Sequence, residues 1–283
     1  MKIAVLSGKG GTGKTFISTN LAWVLSENKK VKLVDVDVEE PNSRLFFNIK
    51  INREEKVNLL LPSVDQEKCT HCGKCSDICE FSAISAFPTA TMVFKNLCHG
   101  CGACAMVCPT RAILEIPKEL GRIRFGEINS NLSFAEGELK IGEPSGVKII
   151  RELKKMVEDK SSVILFDSPP GATCPVVETL RNVDFALLVT EGTPFGLHDL
   201  KIVYEIVKEM NIPSGIIINR NSDEFKEIDK FAEENKIRII EKIPFSRDIA
   251  SEYSNGNLFV IKNEEWKKRF YDIFTSIEKV VKS

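Results

Sequence analysis

The sequence predicts an α/β protein: a mostly parallel sheet covered by helices on both faces, interrupted by a smaller, cysteine-rich α+β unit. Three observations point there. Short, almost wholly apolar runs alternate with helix-length segments, a glycine-rich loop separates the first run from the first helix, and eight of the nine cysteines lie between Cys69 and Cys108. Apolar runs without polar alternation imply burial on both faces, the condition of a parallel strand flanked by crossover helices. A dense cysteine patch in an otherwise nearly cysteine-free chain marks an insertion. The expected division is residues 1–61 and 119–283 for the larger domain and 62–118 for the inserted one.

Taken in order, Lys2 to Leu6 opens the sheet, and Thr15 to Glu27 carries apolar residues at helical spacing behind the glycine loop. Val31 to Val36 is the second strand. Beyond the cysteines, the stretch from Arg122 to Ile141, punctuated by Gly121, Gly126, Asn131, Gly137 and Gly142, reads as a small antiparallel meander of short segments. The parallel series resumes with Val163 to Phe166, Phe185 to Val189, Ile216 to Ile218 and Ile237 to Ile243. Helices over Val147 to Glu158, Leu197 to Met210 and Glu224 to Asn235 lie between them. A last helix, from about Asn263 to Val281, places Trp266, Phe270, Ile273 or Phe274, Ile277 and Val281 on one side. That stripe suits packing on a sheet; a membrane-surface helix would carry a more basic polar face.

At 283 residues and 31.7 kDa the chain has room for two domains of the usual size, about 100 to 200 residues each. Its 39 Lys+Arg balance 40 Asp+Glu, so it lacks the broad basic footprint that nucleic acid or anionic lipid would require, a local patch apart. An apolar content of 43%, with 17 Phe, is enough for a sizeable core. No apolar run approaches the roughly 18 to 20 residues that cross a bilayer, and Ile3 to Leu6 gives way to glycines too early for a signal peptide. These features predict a cytoplasmic protein without stable membrane insertion or a nucleic-acid partner. In that reducing setting grouped thiols hold metal rather than forming disulfides.

Gly8-Lys9-Gly10-Gly11-Thr12-Gly13-Lys14-Thr15 fits GxxxxGK[ST] and stands between a strand and a helix, the context the motif needs. Glycines let successive N–H groups face phosphate oxygens, and the helix N-terminus adds positive potential. Lys14 neutralises the β and γ phosphates, and Thr15 can ligate Mg²⁺. Carboxylates at the ends of neighbouring strands, Asp35 and Asp37 after the second and Asp167 after Val163 to Phe166, converge on the crevice where such sheets bind ligands.

With its early lysine, this loop resembles the deviant Walker A loop of the MinD/ParA/nitrogenase-iron-protein group of P-loop ATPases. The resemblance implies a P-loop NTPase fold, ATP and Mg²⁺ as ligands, hydrolysis of ATP to ADP and phosphate, and an ATP-dependent homodimer in which Lys9 reaches the partner's nucleotide. Asp37 is then the better match to the switch I aspartate, which helps position water and Mg²⁺. Asp167, followed by Ser168-Pro169-Pro170-Gly171, matches the Walker B aspartate as an outer-shell Mg²⁺ ligand. Asn219, in Ile218-Asn219-Arg220, matches the adenine-reading element, and Pro244, in Ile243-Pro244-Phe245, the loop that covers the base.

The cysteines form an internal repeat. Cys69-x-x-Cys72-x-x-Cys75-x-x-x-Cys79 recurs 29 residues on as Cys98-x-x-Cys101-x-x-Cys104-x-x-x-Cys108, each copy followed by an Ala-Ile pair. Zinc could use paired CxxC motifs but leaves the three-cysteine runs and the duplication unexplained. Both copies resemble the bacterial ferredoxin run, in which three cysteines hold one [4Fe–4S] cluster and the fourth holds the other. That resemblance implies Cys69, Cys72, Cys75 and Cys108 on one cluster, and Cys98, Cys101, Cys104 and Cys79 on the other. Pro109 follows Cys108 as in the family run, whereas Glu80 replaces the proline after Cys79. His71 and His99 read as loop residues. Cys174 reads as a small core residue. A nearby cysteine in the nitrogenase iron protein helps bridge a cluster between subunits, but the upstream cysteine it works with has no counterpart here outside the repeats.

Nearly the whole chain therefore resembles MinD-superfamily ATPases that carry an inserted ferredoxin-like domain, a subgroup related to iron–sulfur cluster carrier and nitrogenase iron proteins. The resemblance implies an ATPase that passes electrons, or a metal or iron–sulfur cluster, to an acceptor protein through two [4Fe–4S] clusters. The competing expectation is a positioning or scaffold ATPase whose clusters are structural or redox-sensing. A cluster carrier that holds its cargo elsewhere is the weakest, for want of a CxxC pair outside the repeats.

Overall fold

The computed structural model describes residues 1–221 and 224–282. Along the chain these form β1 (Lys2–Leu6), α1 (Lys14–Ser26), β2 (Val31–Asp35), β3 (Lys50–Val64), α2 (Lys74–Asp77), β4 (Ile84–Ala86), β5 (Thr91–Val93), α3 (Ala103–Met106), β6 (Ile113–Glu127) and β7 (Leu132–Leu139). There follow α4 (Val147–Met156), β8 (Val163–Asp167), α5 (Cys174–Leu180), β9 (Phe185–Glu191), α6 (Pro194–Glu209), β10 (Ser214–Asn221), α7 (Glu227–Glu234), β11 (Arg238–Pro244), α8 (Arg247–Ser254) and α9 (Glu264–Lys282). The large sheet has the order β11-β10-β9-β1-β8-β2-β7-β6-β3, with parallel pairing from β11 through to β7. The chain divides into two compact units: Met1–Glu55, Ile123–Glu138 and Gly146–Ser283 form the first, Lys56–Arg122 and Leu139–Ser145 the second.

In the first unit, Ile3, Ala4, Val5 and Leu6 of β1 are wholly buried, and Ile164 to Phe166 of β8 nearly so, because helices cover both faces of the sheet. The last helix turns Trp266, Phe270, Ile273, Phe274 and Ile277 inward, and Phe270 meets Phe16 of α1 edge-on at 5.9 Å. Among the described residues, no helix is long and apolar enough to cross a membrane.

Two departures from the sequence expectations concern strands. Lys50–Val64 forms a 15-residue strand where none was expected. The expected meander of short segments is instead the 15-residue β6 and the eight-residue β7, joined by a turn in which Ile128 N–H donates to the Leu132 carbonyl at 2.9 Å. Gly126 does not break β6. A Cβ there would stand 2.9 Å from the Lys50 carbonyl oxygen, so the glycine permits a close backbone approach. Gly137 likewise lies where a Cβ would meet Ile149 and Val38 at 2.8 Å.

The second unit is built on the repeat. The offset of 29 residues carries α2 onto α3. It also pairs three left-handed backbone positions: His71 (φ 52°) with Gly100 (φ 63°), Gly73 (φ 81°) with Gly102 (φ 76°), and Ser82 (φ 50°) with Arg111 (φ 52°). Its small core contains Cys75, Ile84 and Ile113, flanked by Val64, Val93 and three further cysteines. Thiols thus occupy much of the interior that apolar side chains would fill in a larger domain.

Candidate functional site

The first site lies at the C-terminal ends of β1, β8 and β2. In register, Val5 stands beside Asp167 and Asp167 beside Asp35, so the loop after β1 and the acidic strand ends share one edge of the sheet. A cleft of about 270 Å³ opens there, lined by Gly10, Gly11, Gly13, Lys14, Thr15, Asp37, Asn219 and Pro244 together with Arg220, Phe245 and Tyr253. Gly13 enters α1 with φ 98°, a conformation that glycine adopts without strain. Gly8 and Thr12 are not among the lining residues. A Cβ on Gly8 would lie 2.4 Å from the Asp199 carbonyl oxygen, and Thr12 is buried with its hydroxyl unpartnered.

Lys14 points its ammonium at the Ser7 hydroxyl, 2.8 Å away, and Ser7 in turn donates to the Lys9 carbonyl at 2.6 Å. Burial lowers the pKa of Lys14, opposed by the charges of Asp167, Asp37 and Asp35. Lys9 makes an ion pair with Glu191 at 3.1 Å, and Glu191 also pairs with Arg220 at 2.6 Å. The Asn219 side-chain amide donates to the Thr12 carbonyl at 2.8 Å, bracing the loop.

The two aspartates after β2 have different surroundings. Asp35 is fully buried and accepts from the N–H groups of Asp37 (3.1 Å), Asn42 (2.9 Å) and Ser43 (2.9 Å), which folds the following turn around it. Burial, with Asp167 beside it, pushes its carboxyl well above the ordinary range. Asp37 faces the cleft, and burial raises it to about 6 against the pull of Lys14. Asp167 is also raised by burial, opposed by the Thr15 and Ser43 hydroxyls. Ser43 donates to its Oδ2 at 2.8 Å, whereas its buried Oδ1 has no hydrogen-bond partner among the described residues. The Thr15 hydroxyl meets Asn42 Oδ1 at 3.1 Å. An orphaned carboxylate oxygen among hard oxygen donors fits Mg²⁺: a cation there would satisfy Oδ1 and relieve the crowded negative charge. Next in register to Asp35 stands Glu136, wholly buried, paired with Arg124 at 2.8 Å and with Arg44 at 3.5 Å.

Sequence reasoning passed over Ser7, Asn42, Ser43, Glu191 and Tyr253. Ser7 adjoins the glycine loop and could have been suspected. The others reach the site only through the fold.

The second unit holds two cysteine-lined cavities. Cys69, Cys72, Cys75 and Cys108 line one, and Cys79, Cys98, Cys101 and Cys104 the other, so each takes three residues from one copy and the fourth from the other copy. Backbone N–H groups reach the sulfurs at matching places: Ala83 to Cys79 at 3.2 Å and Ala112 to Cys108 at 3.3 Å, with Gly100 to Cys98 at 3.4 Å in addition. Among the described residues, no group of three or more His, Cys, Asp or Glu is placed to hold a single metal ion. A tetrahedral ion would require its thiolates about 2.3 Å from one point. A four-iron cube takes one thiolate at each corner, and four thiols around a cavity fit that demand. His71 Nδ1 lies 3.6 Å from Cys69 Sγ, and His99 stacks on Phe81 with ring centroids 3.8 Å apart. Cys174 is exposed, contrary to the expectation of a core residue. It is the first residue of α5, whose inward positions are taken by Val176, Thr179 and Leu180.

The model of the CobQ/CobB/MinD/ParA nucleotide binding domain family matches residues 3–259. An uncharacterised protein of Methanocaldococcus jannaschii is 33% identical over 282 residues, covering 99% of this chain and 98% of its own length. The iron-sulfur cluster carrier protein of Aquifex aeolicus is 25% identical over 300 residues, covering 99% of this chain and 68% of its own. Among solved structures, the septum site-determining protein MinD of Pyrococcus horikoshii, complexed with Mg-ADP, superimposes with a TM-score of 0.61 at 21% identity, covering 98% of this chain and 96% of that one. That likeness is one of fold.

Proposed function

Because the chain belongs to the CobQ/CobB/MinD/ParA nucleotide-binding family, we propose that it hydrolyses ATP and couples the cycle to transfer of electrons, or of a metal or iron–sulfur cluster, through two [4Fe–4S] clusters. The observation that carries this reading is the presence, in one polypeptide, of a phosphate-loop cleft and two cavities each lined by four cysteines.

In this reading the N–H groups of residues 8–15 and the Lys14 ammonium hold the β and γ phosphates. Thr15 would ligate Mg²⁺, with Asp167 behind it, and Asp37 orients the water that attacks the γ phosphorus as the bond to the leaving ADP breaks. When bound, the ion supplies charge neutralisation, and the clusters supply one-electron chemistry that the polypeptide lacks. Lys9 leaves Glu191 to meet the nucleotide of a second copy, so that ATP favours a homodimer. The inserted domain is residues 62–118, with Cys69, Cys72, Cys75 and Cys108 on one cluster and Cys98, Cys101, Cys104 and Cys79 on the other. Asn219 and Pro244 contact the base. The working location is the reducing cytoplasm, and the recipient is a protein.

Anaerobic preparation followed by iron, sulfide and ATPase assays tests the reading. About eight iron and eight acid-labile sulfide per chain are expected, together with ATP turnover that changes when the clusters are reduced. Absence of iron and sulfide, or of hydrolysis, overturns it. Turnover that ignores redox state would leave a scaffold ATPase instead.

A further inference from the structure

The duplication allows the two cysteine cavities to be compared position by position. At the offset of 29 residues, Thr110 of the second copy answers to Phe81 of the first. Crossing delivers them to different places: Thr110 lines the cavity of Cys69, Cys72, Cys75 and Cys108, and Phe81 lines the other. The Thr110 hydroxyl lies 3.8 Å from Cys108 Sγ. A second hydroxyl, that of buried Thr91, lies 3.3 Å from Cys69 Sγ. Gln66 fixes Thr91 from both sides, donating to its carbonyl at 2.8 Å and accepting from its N–H at 3.1 Å. Among the described residues, no serine or threonine lines the second cavity.

Charge follows the same division. Lys74 lines the first cavity, where no carboxylate stands among the described residues. Glu115 lines the second, which has no lysine or arginine, and its Oε1 stands 3.1 Å from where a Cβ on Gly102 would be. Backbone donors run the other way, two sulfurs served in the second cavity against one in the first. Lys74, Thr110 and Glu115 are exposed and act through solvent, whereas Thr91 is buried, so its hydroxyl, shielded from water beside Cys69, weighs most against the one additional amide.

Reduction adds one negative charge to a cluster, so donors and cations favour it, while carboxylates and apolar walls oppose it. Resting on the two-cluster reading, we propose that the cavities give their clusters unequal potentials, so that a single electron comes to reside at Cys69, Cys72, Cys75 and Cys108, with Thr91 and Glu115 as the residues that set the difference. The transfer is of one electron only: the cluster of Cys79, Cys98, Cys101 and Cys104 is oxidised as the other is reduced, with no bond or proton exchanged.

The experiment is a reductive titration of the full anaerobic chain with titanium(III) citrate, followed by electron paramagnetic resonance. Two one-electron steps separated by at least 59 mV, a tenfold preference, are expected. In Thr91→Val the first step moves to lower potential and the second stays, while Thr91→Ser restores the first. In Glu115→Gln the second step moves upward. Coincident steps in the unaltered chain, or a Thr91→Val variant that moves only the lower step, would overturn the inference and leave the two-cluster reading intact. A chain without iron would instead end that reading.

Discussion

Replacing Asp37 by Asn should make the nucleotide-free protein more stable while removing the ATP hydrolysis proposed for it. The raised pKa means that the fold disfavours the charged carboxylate, chiefly through burial. Moving from the ordinary 3.8 to about 6 corresponds to about 3 kcal/mol, and solvent screening of this half-buried side chain reduces it to roughly 2 kcal/mol. The sign follows from proton binding. Below 3.8 the carboxyl is neutral in both states and costs nothing; as pH rises towards 6 the unfolded chain loses its proton first, and native stability falls. The Asn variant should therefore match the parent near pH 4 and exceed it at pH 8, with a thermal midpoint raised by roughly 4 to 8 °C at about 2–4 °C per kcal/mol. Scanning calorimetry of both proteins without nucleotide at the two pH values reads this directly, and phosphate release reports the lost turnover. An Asn variant no more stable than the parent at pH 8 would refute the reasoning.

Two further outcomes follow from the packing. Gly13→Ala places a Cβ 2.3 Å from the Asn219 amide nitrogen on a backbone with φ 98°; the left-handed conformation alone costs about 1–2 kcal/mol, and titration calorimetry should find ATP binding lost in a folded protein. Arg124→Met leaves Glu136 buried with only the more distant Arg44 to pair it, so urea unfolding should show a loss of about 3 kcal/mol, the low end for a broken buried ion pair.

What the sequence disclosed depended on how local the cause was. The phosphate loop was readable because its geometry is written in adjacent glycines, and β1, β8 and β9 because burial on both faces leaves an unbroken apolar run. Strand Lys50–Val64 was not, since its first half is exposed and rich in Arg53, Glu54, Glu55 and Lys56, with no apolar periodicity to count. Gly121 and Gly126 look like breaks in the sequence; at Gly126 the reason for glycine is a neighbouring backbone that only the fold brings near. Within the cleft, Asp35 and Asp37 could be ranked by resemblance alone. The structure separates them physically, one carboxylate consumed by three backbone donors and the other turned to the cavity. Ser43 reaches Asp167 across 124 positions of sequence, and no pattern announces such a pair.

The exchange of fourth cysteines between the two copies has an evolutionary corollary. A tandem duplication ordinarily leaves two spare parts, either of which can decay while its twin carries on. Here each copy supplies three cysteines to one cavity and the fourth to the other. Loss of cysteines from either copy would therefore strip lining thiols from both cavities at once.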